Sequence, residues 1–378
     1  YLIALLFLPW VVGCEGCRRD ADPNAEEKER EALVEDFTAL PAQAFPGDMN
    51  VAAGGIKPGH WLTASQGLKS NKIDSRGELE SRASATGQNN STGTVETSVG
   101  EIPSLRPIVL PKGQTRRFDY RLLAPRVSGG DQRRTFLSSR YVSTGRSVFY
   151  DTGKQPFNVL SGEEYFFVIL TTRPERFAKF QVSDWVRPFA DEYSFKNTRN
   201  ANYRIIFPPT DDVLPLSETM LDWTSTAVLL WDDLSPDALT PLQQRAISDW
   251  VRFGGQLVVN GAAASDAISR TSIVDVLPLR PTGNIELDPD AAAELLRQWS
   301  VASDPTTDKQ IAVMRAQPGR VAVDGVAAED SQPLPGGSLV LTRRVGSGRV
   351  VQPRFDITGD WMMNWQSYDS FVNSAILA

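Results

Sequence analysis

"TAVLLWDDLSPDALTPLQQRAISDWVRFGGQLVVNG", residues 226–261, decides the fold. Its first six residues are a continuous run of mainly apolar side chains, as expected of a strand covered on both faces, and the run closes on Asp232 and Asp233. A helix follows. Thr240 can cap it, Pro241 suits its first turn, and Gln243 completes a capping box. Leu242, Ala246, Ile247, Trp250 and Phe253 recur at helical spacing as one apolar stripe. Gly254 and Gly255 supply a left-handed stop. A second apolar strand over 256–259 then runs into a turn of Asn260, Gly261 and alanines. Strand, helix and strand in this order predict parallel pairing through a right-handed crossover.

The same pattern extends upstream. "EYFFVIL" (164–170) and "NYRIIFPP" (202–209) read as two further buried strands, with a Pro-initiated helix, "RPERFAKFQVSDWV" (173–186), after the first. Before them the period changes to that of half-buried strands. In "QTRRFDYRLLAP" (114–125), Phe118, Tyr120 and Leu122 alternate with Asp119 and Arg121. "RPIVLP" (106–111), "RTFLSSRYV" (134–142) and "RSVFYDTG" (146–153) are similar short runs between turn residues. The expected fold is therefore α/β. A flavodoxin-like parallel sheet flanked by helices occupies 161–378, preceded by a small antiparallel β-sandwich module over 102–160. Residues 18–101 read as a charged and low-complexity linker. "RRDADPNAEEKEREALVED" (18–36) is highly charged, and "SRASATGQNNSTGTVETSVGE" (81–101) has few apolar residues.

Residues 1–17 are expected to be a membrane anchor or signal segment. "YLIALLFLPWVVGC" (1–14) is uncharged and apolar but shorter than the ~20 residues a spanning helix needs. "VVGC" is similar to a bacterial lipobox, which makes Cys14 a lipidation candidate. Lipid anchor and transmembrane helix both remain open. The chain begins with Tyr1 and ends within an apolar pattern, so it is expected to be a piece of a longer protein. The expected location is the bacterial cell envelope, with most of the chain on the exported side.

A net charge of −7 argues against a nucleic-acid partner, which needs a basic face to displace counterions. Cys14, Cys17 and His60 are the only cysteines and histidine, so no thiolate or imidazole is available downstream. The Cys14/Cys17 pair has C-x-x-C spacing, but redox chemistry needs a scaffold that does not follow it, and zinc needs two further ligands. A metal site elsewhere would have to be all oxygen, and there is no EF-hand pattern. Neither cofactor nor metal is expected.

The 226–261 stretch resembles the core of the class I glutamine amidotransferase-like superfamily, closest to its ThuA-like and non-catalytic envelope branches. "VGSGRVVQPRFDI" (345–357) is similar to the late hairpin of those domains. The resemblance covers roughly 160–377, and the β module and lipobox-like start together look like those of large bacterial envelope proteins that carry such a domain. In the glutaminases of that superfamily a nucleophilic Cys follows this helix and strand. Carried over, it falls at about Gly261 or Ala262, which have no functional side chain. A thiolate there also needs an activating His, and none lies in the domain. Cys–His amidotransferase chemistry is thereby excluded.

In open parallel sheets, ligands bind beyond the carboxyl ends of the strands. The ends readable here offer Thr171 and Arg173, Asp232 and Asp233, and Asn260 and Gly261 as a ligand-binding set. The competing reading is that the two aspartates cap the short helix at Ser235-Pro236 while Asn260 shapes its turn. No catalytic residue is assigned. The expected function is a membrane-anchored envelope protein with an inactive amidotransferase-like domain, serving interaction or scaffolding with an unidentified envelope protein. The alternative is a carbohydrate-binding or carbohydrate-processing protein that takes a small sugar or peptide at the strand ends.

Overall fold

The computed structural model describes residues 36–50, 54–88, 95–97, 102–126, 132–144, 149–186, 202–210, 213–302 and 304–377. The anchor segment, Cys14 and Cys17 lie outside the described residues. Among the described residues no helix is long and apolar enough to cross a membrane.

The β part begins well before residue 102. Its strands are β1 (Phe37–Ala39), β2 (Gln43–Ala44), β3 (Gly55–Ile56), β4 (Trp61–Ser70), β5 (Ser75–Gln88), β6 (Val95–Thr97), β7 (Ser104–Leu110), β8 (Thr115–Leu123), β9 (Gln132–Ser143), β10 (Phe149–Asp151) and β11 (Gln155–Val159). β1, β2, β4 and β8 form one antiparallel sheet, and the other seven form a second in which only β3 and β11 pair in parallel. The inner faces pack together through Leu62, Ala64, Tyr120 and Leu122 from the first sheet and Ala83, Leu137 and Phe157 from the second. The linker expected over 18–101 is therefore corrected for its second half. β4 and β5 are long central strands, and beside Leu62, Leu68 and Leu79 many of their buried residues are small or polar, among them Ala64, Ser65, Ser81, Ala83 and Ala85. Ser81 and Ser139 meet across β5 and β9 at 2.8 Å in a buried hydroxyl pair. Buried positions filled largely by Ser, Ala and Gly carry only a weak hydrophobic signature, so the segment reads as low complexity.

The second part contains β12 (Tyr165–Leu170), β13 (Tyr203–Ile206), β14 (Thr226–Trp231), β15 (Gln256–Val259), β16 (Leu279–Glu286), β17 (Val321–Ala327), β18 (Gln332–Pro333), β19 (Val340–Val345) and β20 (Gly348–Pro353). Its helices are α1 (Pro241–Phe253), α2 (Gly261–Ser269), α3 (Pro289–Trp299), α4 (Thr307–Ala316), α5 (Asp360–Met363) and α6 (Tyr368–Phe371). The main sheet has the order β13-β12-β14-β15-β20-β19-β18.

The flavodoxin-like expectation is overturned. Strand outweighs helix, 39% to 26%, and the molecule has several antiparallel sheets and a curled half-barrel. Within the main sheet β19 and β18 run antiparallel to their neighbours, while β16 and β17 form a separate antiparallel ribbon. The segment expected as a helix after β12 is a 3-10 helix, Pro174–Val182. The physical reason lies in short connections. Gly346, at φ 62°, turns the chain back directly from β19 into β20, and a two-strand hairpin is necessarily antiparallel.

α1 has the limits its caps dictate. Thr240 Oγ1 accepts from the Gln243 amide at 3.1 Å, and Gln243 Oε1 accepts from the Thr240 amide at 3.0 Å. The predicted stripe is only partly buried: Ala246, Ile247 and Trp250 face the core, whereas Leu242 and Phe253 are exposed. Gln243 and Val251 take the inward places instead. Gln243 is tolerated there because its amide donates to the Leu214 and Leu216 carbonyls, both at 2.9 Å. Gly255 is required by contact, since an added Cβ would lie 2.1 Å from the Trp250 indole. At the C-terminus Trp365, Tyr368, Phe371 and Val372 are buried and belong to the core that also holds Phe177 and Phe180.

Candidate functional site

Because β12, β14, β15 and β20 are parallel neighbours, the residues that follow them emerge side by side. Thr171 Oγ1 lies between the two aspartates after β14, 2.9 Å from Asp232 and 3.0 Å from Asp233. Asp233 is gripped by the loop after β12. It accepts from the Thr172 amide at 2.6 Å, the Thr172 hydroxyl at 2.9 Å and Arg173 Nε at 2.8 Å. Asp232 is buried. It accepts from Arg176 at 2.8 Å and from Asn260 Nδ2 at 2.8 Å. Asn260 also reaches Asp356 at 3.2 Å, and its Oδ1 accepts from the Ile357 amide at 2.9 Å. Arg176 closes the ring by donating to Asp356 and Thr358.

All the strand-end residues singled out from the sequence thus converge on one place. The capping alternative does not occur. Ser235 caps its own 3-10 turn, accepting from the Asp237 amide at 3.4 Å, and the aspartates point across the sheet instead. Arg176, Asp356 and Thr358 are additional members that the sequence reading missed. Arg176 lies one 3-10 turn after Arg173, a helix type in which positions three apart eclipse. Asp356 follows β20, and the carboxyl-end rule would have selected it had β20 been known to lie beside β15.

The electrostatics distinguish the two adjacent carboxylates. Burial pushes the Asp232 pKa up, and Arg176, Asn260 and Thr171 offset only part of that effect. Burial also acts upward on Asp233, but hydrogen bonds from Thr172, Arg173 and Thr171 outweigh it and hold its pKa below the ordinary value. The polar atoms are largely engaged with one another. A cleft of about 380 Å³ opens beside them, lined also by Arg320, Asp360 and Trp361.

Gly261 begins α2 directly after Asn260 and has φ 66°. A Cβ there would stand 3.0 Å from the Phe355 carbonyl carbon and 3.1 Å from the Asp356 nitrogen. Strand, left-handed residue and helix make the backbone shape of a nucleophile elbow, here with no side chain. His60 is remote from it. It contacts Thr224 at 3.1 Å and Tyr165 edge-on, at the amino ends of β12 and β14. That is roughly 17 Å away by the rise of a five-residue strand step. Among the described residues no group of His, Cys, Asp and Glu is arranged to hold a metal ion.

No protein-family model matches the sequence, and no curated protein matches it. Among solved structures, a sporulation control protein of Bacillus subtilis, Spo0M, is similar over 33% of this chain and 51% of its own, at 10% identity and a TM-score of 0.24. AvmM, which catalyses macrocyclization in alchivemycin A biosynthesis, is similar over 34% of this chain and 90% of its own, at 9% identity and a TM-score of 0.22. The chain thus spans about half the length of the Bacillus protein. Likenesses this slight carry no argument about fold or function.

Proposed function

We propose that the chain belongs to a membrane-anchored envelope protein whose α/β part is a non-catalytic, amidotransferase-like domain that binds an envelope protein partner. One observation carries the reading: the elbow residue is Gly261, at φ 66°. The polar groups around it are engaged already: Asp232 accepts from Asn260, and Asp233 accepts from Thr171 and Thr172. An acyl-transfer site needs an activated nucleophile at that turn, and glycine supplies none. The anchor is the segment 1–17, whose first fourteen residues are apolar, through a lipidated Cys14 or a retained helix.

The test has two arms. The purified chain incubated with glutamine and other primary amides is expected to release no ammonia above a blank. Release that Asp232→Ala or Asn260→Ala abolishes overturns the non-catalytic reading. In cells the protein is expected to sediment with membranes, and its recovery in the soluble fraction after gentle lysis overturns the anchor.

The cleft of about 380 Å³ favours a second reading, a small sugar or peptide ligand held at the strand ends. It falls in the size range of small-molecule sites. Under this reading a saccharide or muropeptide present at a hundred times its Kd stabilises the fold by about 2.7 kcal/mol. Thermal-shift measurements across a saccharide and muropeptide panel read this directly, and a flat response removes the second reading.

A further inference from the structure

A second cavity, of about 350 Å³, lies between the β part and the amino ends of the main sheet. It is on the opposite edge from the strand-end cluster. Lys57, His60, Arg126 and Arg134 line it, and no aspartate or glutamate does. This is an unusual charge distribution for a chain of net charge −7.

Lys57 is buried, at 5% exposure. Its ammonium donates to the carbonyls of Ser161, Gly162 and Glu164 at 3.2, 2.9 and 2.6 Å and lies 3.8 Å from the centre of the Tyr165 ring. The nearest acid, Glu164, spends its carboxylate on Arg204, at 2.9 and 3.1 Å. Lys57 therefore has hydrogen-bond partners but no ion pair among the described residues. Arg126 folds over Gly59, where an added Cβ would lie 1.9 Å from its Nε. Its charge is felt inside the cavity. After burial, the fields of Lys57 and then Arg126 hold the His60 pKa below its ordinary value. Neither Arg126 nor Arg134 pairs with a carboxylate among the described residues. Arg134 is held in place by register, opposite Thr86 in the β5–β9 pair. Ala85, Val159, Leu160 and two prolines give the remaining wall an apolar portion, beside the polar Thr86, Thr135 and Ser161.

We infer that this cavity binds a small organic oxyanion, a carboxylate or phosphate monoester carried on an apolar body. Like charges collected with no counter-charge among the described residues repel one another, and an entering anion relieves that repulsion. Two guanidinium groups match a carboxylate or phosphate in planar, bidentate geometry. The volume is at the lower end of small-molecule sites, about 300–1,000 Å³, and suits one ring and its head group. The site is independent of either reading of the strand-end cluster.

Isothermal titration calorimetry of the 378-residue chain with benzoate, phenyl phosphate, inorganic phosphate and neutral benzamide tests it. Benzoate or phenyl phosphate is expected to bind at one saturable site with a Kd of about 1 mM or tighter, and benzamide is not. Whichever of the two binds more tightly identifies the head group. Arg126→Gln and Arg134→Gln, both on exposed side chains, are each expected to weaken binding about tenfold or more. Arg245→Gln, on the exposed face of α1, is expected to leave it unchanged. Circular dichroism establishes that each variant is folded. Three results would overturn the inference: no saturable binding of either organic anion, undiminished binding by the Arg126→Gln/Arg134→Gln double variant, or an equal loss in Arg245→Gln. Inorganic phosphate binding as tightly as phenyl phosphate would overturn the apolar half of it.

Discussion

Arg176→Ala is expected to destabilise the chain by about 3 kcal/mol, measured by urea unfolding. Arg176 bridges two strand ends, donating to Asp232 at 2.8 Å and to Asp356. Its side chain is 19% exposed and that of Asp232 only 3%, so its removal leaves a buried carboxylate without a cation. Breaking a buried pair in this way costs about 3–5 kcal/mol, and the residual exposure of Arg176 places the expectation at the lower end. Burial already raises the Asp232 pKa, and loss of the guanidinium raises it further. Neutralising the stranded group should therefore recover stability. The Arg176→Ala/Asp232→Asn double variant is expected to be about 1 kcal/mol or more stabler than Arg176→Ala alone. Equal stability of the two, or a single-variant loss below about 1 kcal/mol, would show that the cluster does not hold the strand ends together.

Asp222→Ala is expected to cost about 3 kcal/mol as well, by a different route. Asp222 is buried in the 3-10 helix Met220–Trp223. It receives the Arg121 guanidinium from β8 at 2.8 and 2.9 Å, and hydroxyls of Thr63 from β4 and Ser217 at 2.7 and 3.0 Å. Hydrogen bonds to a charged group contribute about 1.5–3 kcal/mol each. Arg121 is 41% exposed and regains water when released, which limits the total. These contacts join the β part to the α/β part, so the variant should also uncouple them. Calorimetry is expected to show one transition in the parent and two, or one broadened, in Asp222→Ala. Asp222→Asn keeps the shape and should lose about half as much. A single sharp transition at an unchanged temperature would refute the latch.

The candidate cluster was partly legible because strand ends are local features. Thr171, Asp232 and Asn260 each follow a short apolar run, and runs of that kind mark buried strands without knowledge of their partners. Arg176 was not legible, since its role depends on a 3-10 turn where the apolar spacing suggests an α-helix. Asp356 was hidden for a topological reason. It joins the cluster only because β20 inserts beside β15, across about 90 residues that include the β16–β17 ribbon. The cationic cavity was hidden more deeply. Lys57, Arg126 and Arg134 come from three separate segments of the β part, and each is unremarkable alone.

The sequence by itself determined what is set within a turn or two of chain. The caps of α1, the apolar strands β12, β14 and β15, and a turn at 260–261 without a nucleophile all follow from neighbouring residues. Those signals are short-range because capping, helical periodicity and alternation involve residues a few positions apart. Tertiary structure alone decided which strands pair, and in which direction. The mixed sheet, the two antiparallel layers over 37–159 and the ring closed by Arg176 and Asp356 depend on contacts between distant segments. Strand pairing is satisfied by backbone groups that every residue carries, so the side-chain pattern marks a strand without naming its partner.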